Sequence, residues 1–300
     1  YARPTTPEID ALAGRSLVFM RAVSPAPWTL PAHASIFTGR FPGELGYDGW
    51  SFAPEALDGS IAADAEAVGR IANGIAANAF VPLVPELRRG FRDLWGVTQL
   101  TAPLVAKVWG RLRGARDDNE NRTHGDLVNA LALDWLDRVS PRREPWFLFL
   151  NYIDPHDPYE PPARERQQFA PTVPTSLELD IRRYNAGLEA LTPAIERDLQ
   201  QLYDGEVAAV DAAVGRLLRE LERRGWDGAN LLVVVTADHG ESLGEHGFFG
   251  HLLGMPDTVL HVPLLLSGPG VTPGRVEEPV QTVQLRATLR ALLGLPARDP

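Results

Sequence analysis

Three hundred residues with 44% hydrophobic and 23% charged side chains can bury one substantial core and fit a single large globular domain. A formal charge of −10 excludes non-specific nucleic-acid binding, which depends on Lys and Arg neutralising phosphates, and the absence of cysteine excludes disulfides and thiolate metal sites. No apolar run approaches the roughly 18 residues that span a bilayer, so the chain as given reads as soluble, with cytoplasmic and periplasmic or extracellular locations both open.

In chain order, the first informative stretch is PWTLPAHASIFTGR at 27–40. Read from Thr29 it runs T-x-P-x-H-x-x-x-x-T-G-R, which fixes a hydroxyl, a proline, His33 and the Gly39-Arg40 turn at set offsets. Alone, this fits a proline-bounded loop and a short helix with a capping threonine. Next, Trp146 to Tyr152 reads as a strand that ends in Asp154, His156 and Asp157, where the following prolines forbid a regular helix. Apolar residues at 207, 210, 214, 217, 218 and 221 then mark one face of a helix over Gln201–Arg224, with Glu206 and Asp211 read as face or cap residues. Leu231 to Val235 reads as a strand buried on both faces in the middle of a parallel sheet. It opens into TADHGESLGEHGFFGH at 236–251, placing Asp238 and His239 at a strand's carboxyl end, where open α/β sheets gather ligands. VPLLLSGPGV at 262–271 reads as another buried strand, and 280–296 as a closing helix.

The 27–40 and 236–251 motifs together resemble the sulfatase family of the alkaline phosphatase superfamily. The resemblance implies a large, mostly parallel sheet sandwiched by helices. It also implies that TPEIDALAGRSLVFMRA carries a first helix and a strand leading to the nucleophile. In that family the nucleophile position holds a Cys or Ser oxidised to formylglycine, and the fifth position is usually Arg. Here these are Thr29 and His33, so the nucleophile would be the Thr29 hydroxyl itself, as in the phosphodiesterase and phosphotransferase branches. By the same resemblance Asp238 and His239 are metal ligands with Thr29 at the same ion. His251 and His33 contact the transferred group, and His156 is the leaving-group acid. Asn78 and Arg40 bind substrate, while His246 carries a weaker expectation of a direct role.

One divalent metal ion is implied. An imidazole ligand favours Mn or Zn, with Ca or Mg as further candidates, since Ca prefers oxygen ligands throughout. The substrate would be a small phosphate, phosphonate or sulfate ester. The resemblance further suggests that 1–300 is one catalytic domain lacking the family's first metal-binding strand and its small C-terminal subdomain. Specificity is expected in Leu83–Thr123, where Asn121-Arg122-Thr123 also fits a glycosylation sequon. Two alternatives stand beside a hydrolase: a membrane-associated phosphoglycerol or phosphoethanolamine transferase, if an upstream segment supplies the membrane, and a catalytically inactive binding relative.

Overall fold

The computed structural model describes residues 2–49, 51–53, 59–97, 124–139, 144–174, 181–252 and 254–296. The expected specificity segment is therefore described only as far as Val97, and the sequon at Asn121 lies outside the described residues. The class is α/β, as the sequence implied. The strands are β1 (Leu17–Phe19), β2 (Ala22–Val23), β3 (Ile71–Ala76), β4 (Asp93–Gly96), β5 (Trp146–Asn151), β6 (Val233–Thr236), β7 (Ser242–Leu243), β8 (Phe249–Gly250), β9 (His261–Val262), β10 (Leu264–Ser267), β11 (Gly274–Val276) and β12 (Val280–Gln281). The helices used below are α1 (Pro7–Ala13), α2 (Thr29–Thr38), α3 (Ile61–Ala67), α4 (Phe80–Leu83), α5 (His124–Val139), α6 (Pro193–Arg223) and α7 (Leu285–Leu292).

One sheet, in the order β4-β3-β5, is wholly parallel, with Ile71 opposite Trp146 and Ala76 opposite Asn151. A second, in the order β11-β1-β10-β6, is parallel between β1 and β11 and antiparallel on both sides of β10. The short sheet β12-β2-β9 continues it along the same chain segments. Helices cover both faces. Alternation along β5 shows how: Phe147 and Phe149 join the cluster of α2 and α7, while Trp146, Leu148 and Leu150 pack toward α5 and α6. A period of two thus serves two apolar layers at once. No described helix is long and apolar enough to cross a membrane.

Two sequence expectations need correction. The strand predicted at Leu231–Val235 is Val233–Thr236; it is half-buried, and among the described residues its ladder is with β10, antiparallel. An aliphatic run reports burial but not the direction of the neighbour, which here is set by the chain turning back through β9 and β10. The long helix begins at Pro193 rather than Gln201, because Thr192 caps it by accepting the Ile195 N–H and proline occupies its first turn. Its buried face is also rotated from the aliphatic stripe. Of the expected stripe Leu217 and Leu221 are buried, but Val207, Val210, Val214 and Leu218 are only half-buried, whereas Asp204, Gly205, Glu206, Ala209, Asp211, Ala213 and Gly215 are buried. Small residues let other segments come close: a Cβ on Gly205 would lie 2.8 Å from the Pro161 ring, and one on Gly215 would lie 2.5 Å from the Glu8 side chain. Asp211 caps α1, accepting the N–H groups of Glu8 (3.0 Å) and Ile9 (2.8 Å).

Candidate active site

Thr29 is the first residue of α2, after Trp28 in extended conformation. All ten residues of α2 are buried, because the helix lies on the Phe37, Phe91 and Phe149 ring cluster. Thr29 is therefore held by packing rather than by a surface turn. Its hydroxyl oxygen accepts a hydrogen bond from the Asn78 side-chain amide at 3.2 Å. Asn78 is fixed in turn: its backbone N–H donates to Asn151 Oδ1 at 2.9 Å, and its own Oδ1 accepts the Phe80 N–H at 2.9 Å. Both asparagines stand just past the carboxyl ends of adjacent parallel strands or at their last residue, so the ladder aligns them.

His33 stands one turn along α2, with its ring against Phe37 and Phe149 and its side chain only 4% exposed. Its Nδ1 lies 2.9 Å from the Thr29 carbonyl oxygen and 3.4 Å from Asp238 Oδ2. Both are acceptors, so Nδ1 carries the proton. The imidazole thereby bridges α2 and the acid that follows β6. The Ser24 hydroxyl adds a second tie, donating to the Asp238 carbonyl oxygen.

Asp238 Oδ2 and His239 Nε2 are 3.6 Å apart. That is the span of two donors each about 2.1 Å from one shared ion. His239 Nδ1 faces the Gly240 carbonyl at 2.9 Å, so it carries the proton and leaves the Nε2 lone pair available. Burial pushes the His239 imidazole below its ordinary value, which keeps it in the neutral, metal-binding form. Burial raises the Asp238 carboxyl, but the neighbouring His239 and His33 rings and the backbone N–H groups of 238 and 239 outweigh it and hold the group below the usual carboxylate range. The donor set fits a divalent ion as two of its ligands; among the described residues, no group of three or more His, Cys, Asp or Glu forms a complete cage.

The remaining imidazoles complete a row. The His251 ring stacks on His239 at 4.1 Å between centroids, tilted 32°, and the His156 ring meets His251 at 5.3 Å. His156 Nδ1 faces the Asp157 carbonyl, and its backbone N–H donates to Glu206 Oε2 at 3.0 Å. Thr29, Asn78, His33, Asp238, His239, His251 and His156 therefore form one continuous chain of contacts. Arg40 is not with them. It is exposed beyond the far end of α2, donating to the Glu44 carbonyl, and the rise of α2 alone puts Thr38, the last residue of the helix, about 13 Å from Thr29. His246 is exposed in a turn, with φ of 65°, and also stands outside the contact chain.

Four supporting residues escape a reading of motifs: Ser24, Asn151, Glu206 and Glu241. Glu206 accepts two backbone N–H groups of the His156 loop, from His156 and Glu160 (2.6 Å), so it is a buried loop clamp rather than a solvated helix face. Its signal was its phase on α6, where it falls between Gly205 and Ala209 rather than opposite them.

Comparison with known proteins agrees with this architecture. The sulfatase family model, described as Sulfatase, matches residues 78–295. The chain is 25% identical over 309 residues to the ulvan-active sulfatase of Formosa agariphila, covering 97% of this chain and 56% of that protein. It is 26% identical over 318 residues to the iduronate 2-sulfatase of Homo sapiens, covering 89% of this chain and 56% of that one. The chain thus spans a little over half the length of these relatives. A phosphonate monoester hydrolase of Silicibacter pomeroyi superposes with a TM-score of 0.72 at 23% identity, over 98% of this chain and 69% of that chain, a likeness of fold.

Proposed function

The chain belongs to the sulfatase family, and we propose that it is a metal-dependent hydrolase of phosphate and phosphonate esters whose nucleophile is the Thr29 hydroxyl. The observation that carries this reading is the placement of Thr29 Oγ1. A hydroxyl stands at the buried start of α2, with the Asn78 amide on it and the Asp238-His239 pair one imidazole away. That is the place where formylglycine would stand in a sulfatase proper, and threonine cannot be converted to it.

Thr29 Oγ1, its proton given up to solvent, attacks the central atom, forming the Oγ–P bond as the bond to the leaving oxygen breaks. The Asn78 N–H offsets negative charge on the attacking oxygen. His156, its Nδ1 proton held by the Asp157 carbonyl, delivers a proton from Nε2 to the leaving oxygen. His251 faces the oxygens of the transferred group, and His33 serves as the holder of Asp238 rather than as a donor to substrate. Asp238 and His239 would hold a divalent ion, Mn or Zn by their chemistry, which when bound supplies the Lewis acidity that lets a threonine hydroxyl ionise near neutral pH. Water then gives a proton to the vacated His156 Nε2 and attacks the central atom as the Oγ–P bond breaks, and Thr29 Oγ1 takes a proton from solvent to restore the hydroxyl.

A formylglycine hydrate can expel sulfate through its second hydroxyl; Thr29 has none, so its intermediate must be opened at the central atom, a course better suited to phosphoryl groups. The test compares nitrophenyl phosphodiesters, phosphonate esters and sulfates side by side with Mn or Zn present. Faster turnover of the phosphorus esters, lost on Thr29→Ala, is expected. Preference for the sulfate, or activity unchanged without the Thr29 hydroxyl, returns the protein to a general sulfatase-like assignment.

A further inference from the structure

The β7–β8 hairpin does more than connect the Asp238-His239 turn to the next strand. Its register pairs Ser242 with Gly250 and Leu243 with Phe249, so the next residues outward, Glu241 and His251, face each other across its open end. Gly250 has φ of 90°, a conformation that L side chains rarely adopt, and it turns His251 toward His239. The Glu241 side chain is 4% exposed, and His251 Nδ1 lies 3.2 Å from its Oε1 and 3.4 Å from its Oε2. A buried carboxylate is costly unless it is paired, and the His251 ring supplies that partner. A carboxylate can only accept, so Nδ1 carries the proton, and the opposite ring nitrogen, Nε2, is left free at the edge of the ring away from Glu241.

We propose that Glu241 is a positioning residue: by holding Nδ1–H of His251 it fixes the tautomer and plane of that ring, stacked on His239, so that Nε2 addresses the transferred group. The role attached to Nε2 rests on the ester-hydrolase reading above, whereas the tautomer and ring orientation do not. Glu241 thus stands to His251 as a carboxylate stands to any histidine whose second nitrogen must meet a ligand in a set direction.

The experiment has a spectroscopic and a kinetic arm, both on the intact protein with Zn. Nitrogen-15 shifts of the imidazoles, with His251 identified by subtraction of the His251→Asn spectrum, should show the Nδ1–H tautomer in the wild type. That form should persist in Glu241→Gln, whose side-chain oxygen still accepts, and give way to Nε2–H in Glu241→Ala. On a nitrophenyl phosphonate ester, Glu241→Ala should lower kcat about 10- to 100-fold with KM little changed. Glu241→Gln should recover most of that loss, and Glu241→Ala should cost little once His251 is already Asn. An Nε2–H ring in the wild type overturns the proposal, and that arm needs no variant to fold. Equal losses in the Ala and Gln variants, or losses that add to that of His251→Asn, overturn it as well. Should the wild type cleave none of the esters, the hydrolase reading falls, and the tautomer comparison still decides the role of Glu241.

Discussion

Thr29 and Asn78 are the smallest unit at which the site can be tested. A threonine hydroxyl with a single amide donor on it gains from that donor chiefly when the oxygen carries charge, that is, in the transition state. Asn78→Ala is therefore expected to lower kcat by about 10²-fold while leaving KM within a few-fold, measured on an aryl phosphonate ester. A change confined to KM would make Asn78 a ground-state binder. Thr29→Ala should cost at least about 10²-fold, and Thr29→Ser should keep most of the rate, since the branched methyl is not required for attack. Most of this site was legible in residue types. An Asp-His pair after an apolar run, a loop histidine among prolines and a hydroxyl at a fixed offset from His33 each announce chemistry. Arg40 was misread because motif spacing was taken as proximity, although a helix between Thr29 and Arg40 separates them by its own length. Glu241 and Asn151 carry no mark of their own; strand register and a hairpin assign them their partners.

At the scale of elements, the long α6 helix acts on the site through Glu206. Burial pushes this carboxyl up to about 8; the N–H groups of Glu160 and His156 pull it the other way, and the charges of Asp154 and Glu160 add to the rise. A carboxyl raised in the folded state binds its proton more tightly there than in the unfolded chain. Its contribution to stability is thus fully present below its ordinary value of 4.5 and is lost as pH rises through about 8. Between these limits unfolding free energy should fall with pH by up to about 1.4 kcal/mol per unit from this group alone. Denaturant titrations from pH 5 to 9 should show a flatter profile for Glu206→Gln than for the wild type; parallel profiles would remove Glu206 as the source. The period and C-terminal end of α6 were legible in its aliphatic spacing, but its buried face runs through Gly205, Ala209, Ala213 and Gly215 as well as Leu217 and Leu221, and leaves the valines half-buried. Room for a neighbouring segment outranks side-chain volume where that segment must fit, as the Pro161 ring does against Gly205.

Across the whole molecule, the layer holding α2 is locked by a buried charge cluster. Asp64 of α3 receives Arg286 at 2.7 Å and Arg290, both from α7, and Arg286 also donates to the Thr38 carbonyl at the end of α2 at 2.8 Å. All three charged side chains are buried. Asp64→Ala strands two guanidinium groups away from water and is expected to lower unfolding free energy by about 3 to 5 kcal/mol in urea melts. A loss under about 1 kcal/mol would show that the cluster is solvated or replaceable. The α/β class was readable from the family resemblance of the 27–40 and 236–251 motifs, whereas this lock was not. Its members are separated by more than two hundred residues, and charged residues in a lone sequence read by default as solvated.

The bridge made by His33 has a mechanical consequence. One imidazole proton is shared between the carbonyl of Thr29 and the carboxylate of Asp238, and the Ser24 hydroxyl ties the approach to α2 to the Asp238 backbone. Thr29 and Asp238, the proposed attacking residue and the proposed ion holder, come from segments about two hundred residues apart, yet a single imidazole clips one to the other. Breathing of the scaffold is then expected to carry the two segments together, so that the spacing the proposed reaction depends on varies less than the spacing of the sheets that bear them.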